Sequence, residues 1–257
     1  MQLVQDALGL LSGSCVGFSL GLVGGGGSIL AVPLMIYLVG VPSAHVAIGT
    51  SAFAVAVNAA ANLLSHARTG TVKWGCAGLF AIAGVAGAFA GSSLSKIVDG
   101  RRLLALFAVL MVVVAGVMFA RRASAGDADV RLDGRNSPRL ILSGLGTGAL
   151  SGFFGIGGGF LIVPCLMFAT GMPIINAIGS SLVGVTAFGA TAALNYAASG
   201  LVDWRLAATF IVGGVIGGLA GGRLAGALGS RRGALNAIFA ALILVVAIYM
   251  LAHSMTA

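Results

Sequence analysis

The sequence contains no glutamate, and its acidic side chains are six aspartates, Asp6, Asp99, Asp127, Asp129, Asp133 and Asp203. None of the six lies in the middle of an apolar stretch, so a proton relay built on buried carboxylates is disfavoured. Charge of either sign is scarce, at 8% of 257 residues, against 59% hydrophobic residues and a mean hydropathy of +1.10. Those proportions exclude a water-soluble globular domain. The three cysteines, Cys15, Cys76 and Cys165, are scattered through apolar sequence, which excludes a disulfide framework and a zinc-binding spacing. Enzyme motifs are missing too: there is no G-x-S-x-G, no H-E-x-x-H and no Walker loop, and Ile29 and Phe160 spoil G-x-G-x-x-G. The reading is of a non-enzyme without a cofactor or metal.

What the sequence has is apolar length. A spanning helix needs about 20 apolar residues, and such stretches run almost end to end. Five segments are read in each half: 5–23, 28–40, 44–66, 74–95 and 103–120, then 140–154, 159–171, 174–198, 204–228 and 234–252. The N-terminus lacks the basic region of a cleaved signal, so the first segment is expected to remain. The net charge of +8 sits at segment ends, in pairs such as Arg101-Arg102 and Arg231-Arg232. That pattern suits anionic lipid headgroups rather than nucleic acid. Trp74 and Trp204 read as interfacial anchors, and His45 and His66 as interfacial residues rather than proton carriers.

The chain is internally duplicated. Gly24-Gly-Gly-Gly-Ser-Ile-Leu-Ala-Val-Pro33 matches Gly155-Ile-Gly-Gly-Gly-Phe-Leu-Ile-Val-Pro164, 131 positions later. Ala47-Ile-Gly-Thr-Ser51 then aligns with Ala177-Ile-Gly-Ser-Ser181, and Gly70, Val72 and Trp74 with Gly200, Val202 and Trp204. The organisation is a first repeat over 1–120, a polar linker over 121–139 expected to be cytoplasmic, and a second repeat over 140–257. An odd number of crossings per repeat inverts one against the other and sorts the 14 basic residues ten against four. An even number sorts them eight against six. The positive-inside bias favours inversion, with the termini periplasmic. Segments 28–40 and 159–171 are too short to span comfortably, so each is a re-entrant half-helix or a steep crossing.

Glycine runs at membrane depth are costly unless the broken backbone lines a protein-buried or watered cavity. A helix starting after such a run presents unpaired N–H groups and a positive dipole end, which is the physics by which discontinuous helices hold anions. The candidate binding groups are the backbone at Gly26, Gly27, Ser28, Gly157, Gly158 and Gly159. The side chains expected to assist are Thr50, Ser51, Asn58, Asn62, Ser180 and Ser181. On one helix, Ser51, Asn58, Asn62 and Ser65 fall within a stripe about 60° wide. The second repeat has Phe188 and Ala192 in the places of Asn58 and Asn62, so the site is expected to be chemically lopsided. The competing readings are close helix packing for the glycines and interhelical hydrogen bonding for the stripe. Packing is the expected role of Gly213, Gly214, Gly217, Gly218, Gly221 and Gly222, and of Ala83, Gly87 and Gly91.

The doubled Gly-x-Gly-Gly-Gly-x-x-x-Val-Pro, followed by Ala-Ile-Gly-[Thr/Ser]-Ser and Gly-x-Val-x-Trp, resembles the TauE/SafE family of sulfite and sulfonate exporters over nearly the whole chain. The first copy departs slightly, with Gly24-Gly25-Gly26-Gly27-Ser28 where the second has Gly155-Ile156-Gly157-Gly158-Gly159. The resemblance implies a multi-pass permease of the bacterial inner membrane with about eight spans. It also implies a substrate such as sulfite, thiosulfate, sulfoacetate or a related sulfonate, in either direction. The expectation is an all-α polytopic membrane protein of two inverted repeats whose glycine-broken helices meet near the midplane. Its partners would be a small anionic substrate and the lipid bilayer, with no nucleic acid and a possible homo-oligomer. The alternatives are an anion channel and a structural or partner-binding membrane subunit.

Overall fold

The computed structural model describes residues 2–120, 130, 132–134, 136–227 and 244–248. Segment 234–252 and the linker 121–139 therefore fall largely outside the described residues. The order is α1 (Gln2–Val23), a 3₁₀ stretch (Gly24–Leu30), α2 (Ala31–Pro33), a π-helical turn (Leu34–Leu38), α3 (Ala44–Arg68), α4 (Trp74–Ser95) and α5 (Gly100–Ala120), followed by α6 (Ser137–Phe154), α7 (Gly159–Thr170), α8 (Ile174–Ala197) and α9 (Trp204–Ala227). Residues 244–248 are helical, and no strand occurs among the described residues. Five of these helices, within α1, α3, α4, α8 and α9, are long and apolar enough to cross a membrane.

Segment boundaries follow local chemistry. Ser43 caps α3 by accepting from the Val46 N–H at 3.4 Å, and Asp203 caps α9 by accepting from the Leu206 N–H at 3.0 Å. The second half's first helix starts at Ser137 rather than at 140, because Pro138 in its first turn sacrifices only an N–H that would lack a helical partner. After Pro33 the backbone widens to π geometry, and the Val39 N–H closes on Leu34 O at 3.0 Å. The four glycines of the first half form a 3₁₀ helix rather than a break after which a new helix starts.

Glycine faces bring the helices together. A Cβ placed on Gly13, Gly17 or Gly21 of α1 would collide with backbone at Phe210, Gly214 or Gly218 of α9. Reciprocally, Gly213, Gly217 and Gly221 meet the carbonyls of Leu10, Ser14 and Phe18. α4 and α6 pack the same way, with Gly144, Gly148 and Gly152 against Phe80, Gly84 and Ala88, and Gly87 and Gly91 against Leu145 and Ala149. The packing role read from sequence holds at Gly213, Gly217 and Gly221, at Gly87 and Gly91, and at Ala83 against Gly144, whereas nothing lies within 4 Å of a Cβ built on Gly222. Each close pair lets backbones reach van der Waals and Cα–H···O distance, the main attraction available where no water drives association.

Between these two pairs lie α3 and α8. They run antiparallel: Gly49 abuts Tyr196, and Ala52 and Ala56 lie against Gly189. Outward faces carry exposed apolar side chains, including Ile82 and Phe89 on α4 and Ile216 and Leu219 on α9, as a lipid-facing surface requires. Trp74 and Trp204, 56% and 58% exposed, stand at the first residues of α4 and α9. A cleft of about 240 Å³ is lined by Gln5 and Asp6 at the start of α1, by Val39, Val41, Pro42 and Ser43, and by Asp203 and Arg205. Chain leaving α1 at Gly24 has thus returned, by residue 39, to the end from which α1 began. That return makes 24–38 the second arm of a hairpin.

Candidate functional site

The break between α6 and α7 is built from glycines held at φ +64° (Gly155), +65° (Gly157) and +66° (Gly158), a region that L side chains rarely enter. It is enclosed on every side. A Cβ on Gly155 would strike Ile48 of α3, and one on Gly157 would stand 2.8 Å from Val185 Cγ1 of α8 and 3.0 Å from Val55 Cγ1 of α3. Val55 and Val185 lie at the middle of the two longest buried helices, so the break is deep in the molecule. Hydrogen bonding in α7 starts with the Leu161 and Ile162 N–H groups, both donating to Gly158 O at 2.9 and 3.0 Å. The N–H groups before them lie at the positive end of the helix. The 3₁₀ stretch 24–30 packs against α7, which brings the two glycine breaks together.

The predicted side chains divide into three groups. Ser51 Oγ reaches the break, donating to Ile48 O at 3.0 Å and lying 3.2 Å from Gly155 O. Ser181 Oγ donates to Ile178 O at 2.8 Å within its own helix. Ser28 is fully buried beside the other break. Thr50 and Ser180 are instead stitches between helices: Thr50 Oγ1 accepts from the Asp203 N–H and Ser180 Oγ from the Lys73 N–H, each at 2.9 Å. They tether the chain just before α9 and α4.

Asn58 and Asn62 form the third group and face α9, with the Asn58 amide at Gly214 and the Asn62 amide at Gly218. Asn62 Nδ2 donates to Asn58 O at 2.9 Å. Asn58 is completely buried, yet neither amide atom has a hydrogen-bond partner among the described residues. A buried carboxamide left so costs on the order of 1–3 kcal/mol.

One group escaped the sequence reading. Ser151 on α6 is fully buried with its hydroxyl unpartnered, and a Cβ on Gly158 would sit 3.1 Å from Ser151 Oγ, so this hydroxyl lies against the start of α7. In sequence a helical hydroxyl reads as bonded to the carbonyl one turn back, as Thr191 is to Ala187 O at 2.7 Å. Nothing local distinguishes Ser151 from that habit.

Asp6, Asp99, Arg205, His45 and His66 stay near helix ends. Asp6 pairs with Arg205, and Asp99 Oδ1 accepts from the Arg101 N–H at 2.9 Å. His45 Nε2 lies 3.2 and 3.1 Å from Ser95 O and Val98 O; both are acceptors, so the ring nitrogen donates and ties α3 to the α4–α5 turn. His66 Nδ1 meets Thr71 Oγ1 at 3.0 Å. No cluster able to hold a metal exists among the described residues.

Five helices long and apolar enough to cross a membrane, with exposed apolar side chains on their outward faces, define a multi-pass membrane protein. The family described as sulfite exporter TauE/SafE matches residues 9–250, and the chain belongs to that family. It is similar to a probable membrane transporter protein of Xylella fastidiosa (strain 9a5c), 53% identical over 95% of this chain and 94% of the relative. It is also similar to one from Methanocaldococcus jannaschii, 31% identical over 66% and 65%, and to one from Bacillus subtilis, 25% identical over 77% and 81%. No solved structure matches it.

Proposed function

We propose that this protein moves a small sulfur oxyanion or organosulfonate, of the sulfite, thiosulfate or sulfoacetate class, across the bacterial inner membrane by alternating access. The observation that carries the reading is the buried glycine break at the start of α7, positive in dipole and flanked by the unpartnered hydroxyl of Ser151. Such a site stabilises an anion without a lysine or arginine that would hold it too tightly to release. The sulfur specificity rests on the family.

Inverted repeats are supported by the register of the contacts. Shifting each partner by the offset of the duplication turns the pairs Gly13–Phe210, Gly17–Gly214 and Gly21–Gly218 into Gly144–Phe80, Gly148–Gly84 and Gly152–Ala88. The same shift turns Thr50–Asp203 into Ser180–Lys73. The corresponding helices α3 and α8 run antiparallel, which a two-fold axis in the membrane plane produces and an axis along the normal does not. A hairpin followed by α3, α4 and α5 gives three crossings, the odd number that inversion needs. On that reading the Arg68–Lys73 turn is cytoplasmic and the start of α1 periplasmic.

The packing also bears on the motion. One repeat rocking against the other would tear both glycine-faced contacts, because α1 of the first repeat is joined to α9 of the second and α6 to α4. The moving bodies are instead the mixed pairs, α1 with α9 and α4 with α6, shifting about the α3–α8 crossing. Ligand binding is tested by thermal stabilisation of the purified protein with sulfite, thiosulfate, sulfoacetate, taurine, sulfate, phosphate and chloride. A selective rise with a sulfur anion, lost in Ser51→Ala, is expected; equal response to chloride and phosphate would remove the sulfur assignment.

A further inference from the structure

The polar stripe of α3 is graded: Asn58 is fully buried, Asn62 half-buried and Ser65 exposed. It leads from the middle of the helix to the end that carries His66 and Arg68. On α8, 130 positions on, Phe188 fills the notch at Gly84 that Asn58 fills at Gly214, and Ala192 is buried where Asn62 would correspond. A polar track therefore exists on one side of the α3–α8 crossing, and it ends at an amide with both of its atoms unsatisfied.

A carboxamide offers N–H donors and a carbonyl acceptor side by side. A fully deprotonated oxyanion has only acceptors; it satisfies Nδ2 but sets its negative oxygens against Oδ1. An oxyanion that keeps one O–H satisfies both, and exchanging the amide's O and N leaves the requirement unchanged. Resting on the sulfur-oxyanion reading above, we propose that Asn58 selects the singly charged, still protonated form of the substrate, such as hydrogensulfite, over dianions and over sulfonates without an acidic O–H. With every described aspartate at a helix end, the proton then crosses on the substrate.

The experiment is isothermal titration of the detergent-purified full chain with sodium sulfite from below to above the second ionisation of sulfurous acid, beside sodium thiosulfate and sodium methanesulfonate, which carry no O–H there. The titratable groups on the helices around Asn58 are Asp6 and Cys15 on α1, His45, His66 and Arg68 on α3, Tyr196 on α8, and Arg205 and Arg223 on α9. The two control anions report any effect of their titration. Expected is a Kd for total sulfite that rises about tenfold per pH unit above that ionisation. The control anions should bind at least tenfold more weakly with flat profiles, and sulfite should bind Asn58→Leu at least tenfold more weakly than wild type. Should Asn58→Leu fail to give a monodisperse protein, the wild-type profile decides alone. A flat sulfite profile, tighter binding of thiosulfate or methanesulfonate, or wild-type affinity in a folded Asn58→Leu overturns the proposal and leaves the sulfur-anion reading standing. No binding of any of the three by wild type overturns both.

Discussion

Glycine has two different jobs in this protein, and the residue scale separates them. At Gly157 the backbone is left-handed and a side chain would press on Val55 and Val185. Gly157→Ala should therefore cost about 1–2 kcal/mol from backbone strain alone, with more from the clash, and lower both the thermal midpoint and anion binding. At Gly17 the backbone is an ordinary helix, where alanine would gain about 1 kcal/mol in propensity. The collision with Gly214 O reverses that sign, so Gly17→Ala should lower the thermal midpoint while Gly222→Ala, which meets open space, should not. Asn62 lies beside Gly218 on the polar track, and Asn62→Ala should weaken substrate affinity without reducing the yield of folded protein. Transport kinetics equal to wild type would remove it from the site. Asn58 and Asn62 were legible as a stripe from their spacing alone. The roles of Thr50 and Ser180 were not, because their partners, Asp203 and Lys73, lie more than 100 positions away and helical spacing reports only which face a residue occupies.

Between elements, the consequence that matters is which helices move together. A Cβ on Gly9 would lie 3.8 Å from Thr209 Cβ, within the range that a disulfide spans. A cysteine pair at 9 and 209, made in a variant with Cys15, Cys76 and Cys165 replaced by alanine, should cross-link α1 to α9 and leave transport intact. A pair at 83 and 144, whose Cβ atoms would be 3.3 Å apart, should do the same for α4 and α6. Loss of transport on oxidation, restored by reductant, would show that motion occurs within these pairs. Helix positions were largely readable from apolar length and from the proline and glycine punctuation. Partner choice was not: the small-residue faces of α4 and α9 announce close contact without naming the neighbour. The 3₁₀ course of 24–30 was equally hidden, since four glycines permit many backbones and the packing against Leu20 and Ser19 selects one.

For the whole molecule, the duplication turns a packing pattern into a topology. On the inverted arrangement proposed above, the corresponding turns after α3 and α8 should lie on opposite faces of the membrane, because an axis in the membrane plane exchanges its two sides. Thr69→Cys and Ala198→Cys, both exposed, should separate in intact cells treated with a membrane-impermeant maleimide. Ala198→Cys should label directly and Thr69→Cys only after permeabilisation; labelling of both from one side would make the repeats parallel. The basic-residue bias pointed to the same arrangement from sequence, for it depends only on where the chain meets headgroups. What no composition could supply is the chemical asymmetry in depth, where one half of the crossing is lined by amides and the other is closed by Phe188.

The most direct test of transport through this site is counterflow in proteoliposomes loaded with unlabelled sulfite, with uptake of radiolabelled sulfite followed in wild type and Asn58→Leu. Wild type should show saturable, transient accumulation that requires internal sulfite and is at least tenfold reduced in Asn58→Leu. Non-saturating flux without accumulation, or equal counterflow in the two proteins, would contradict it.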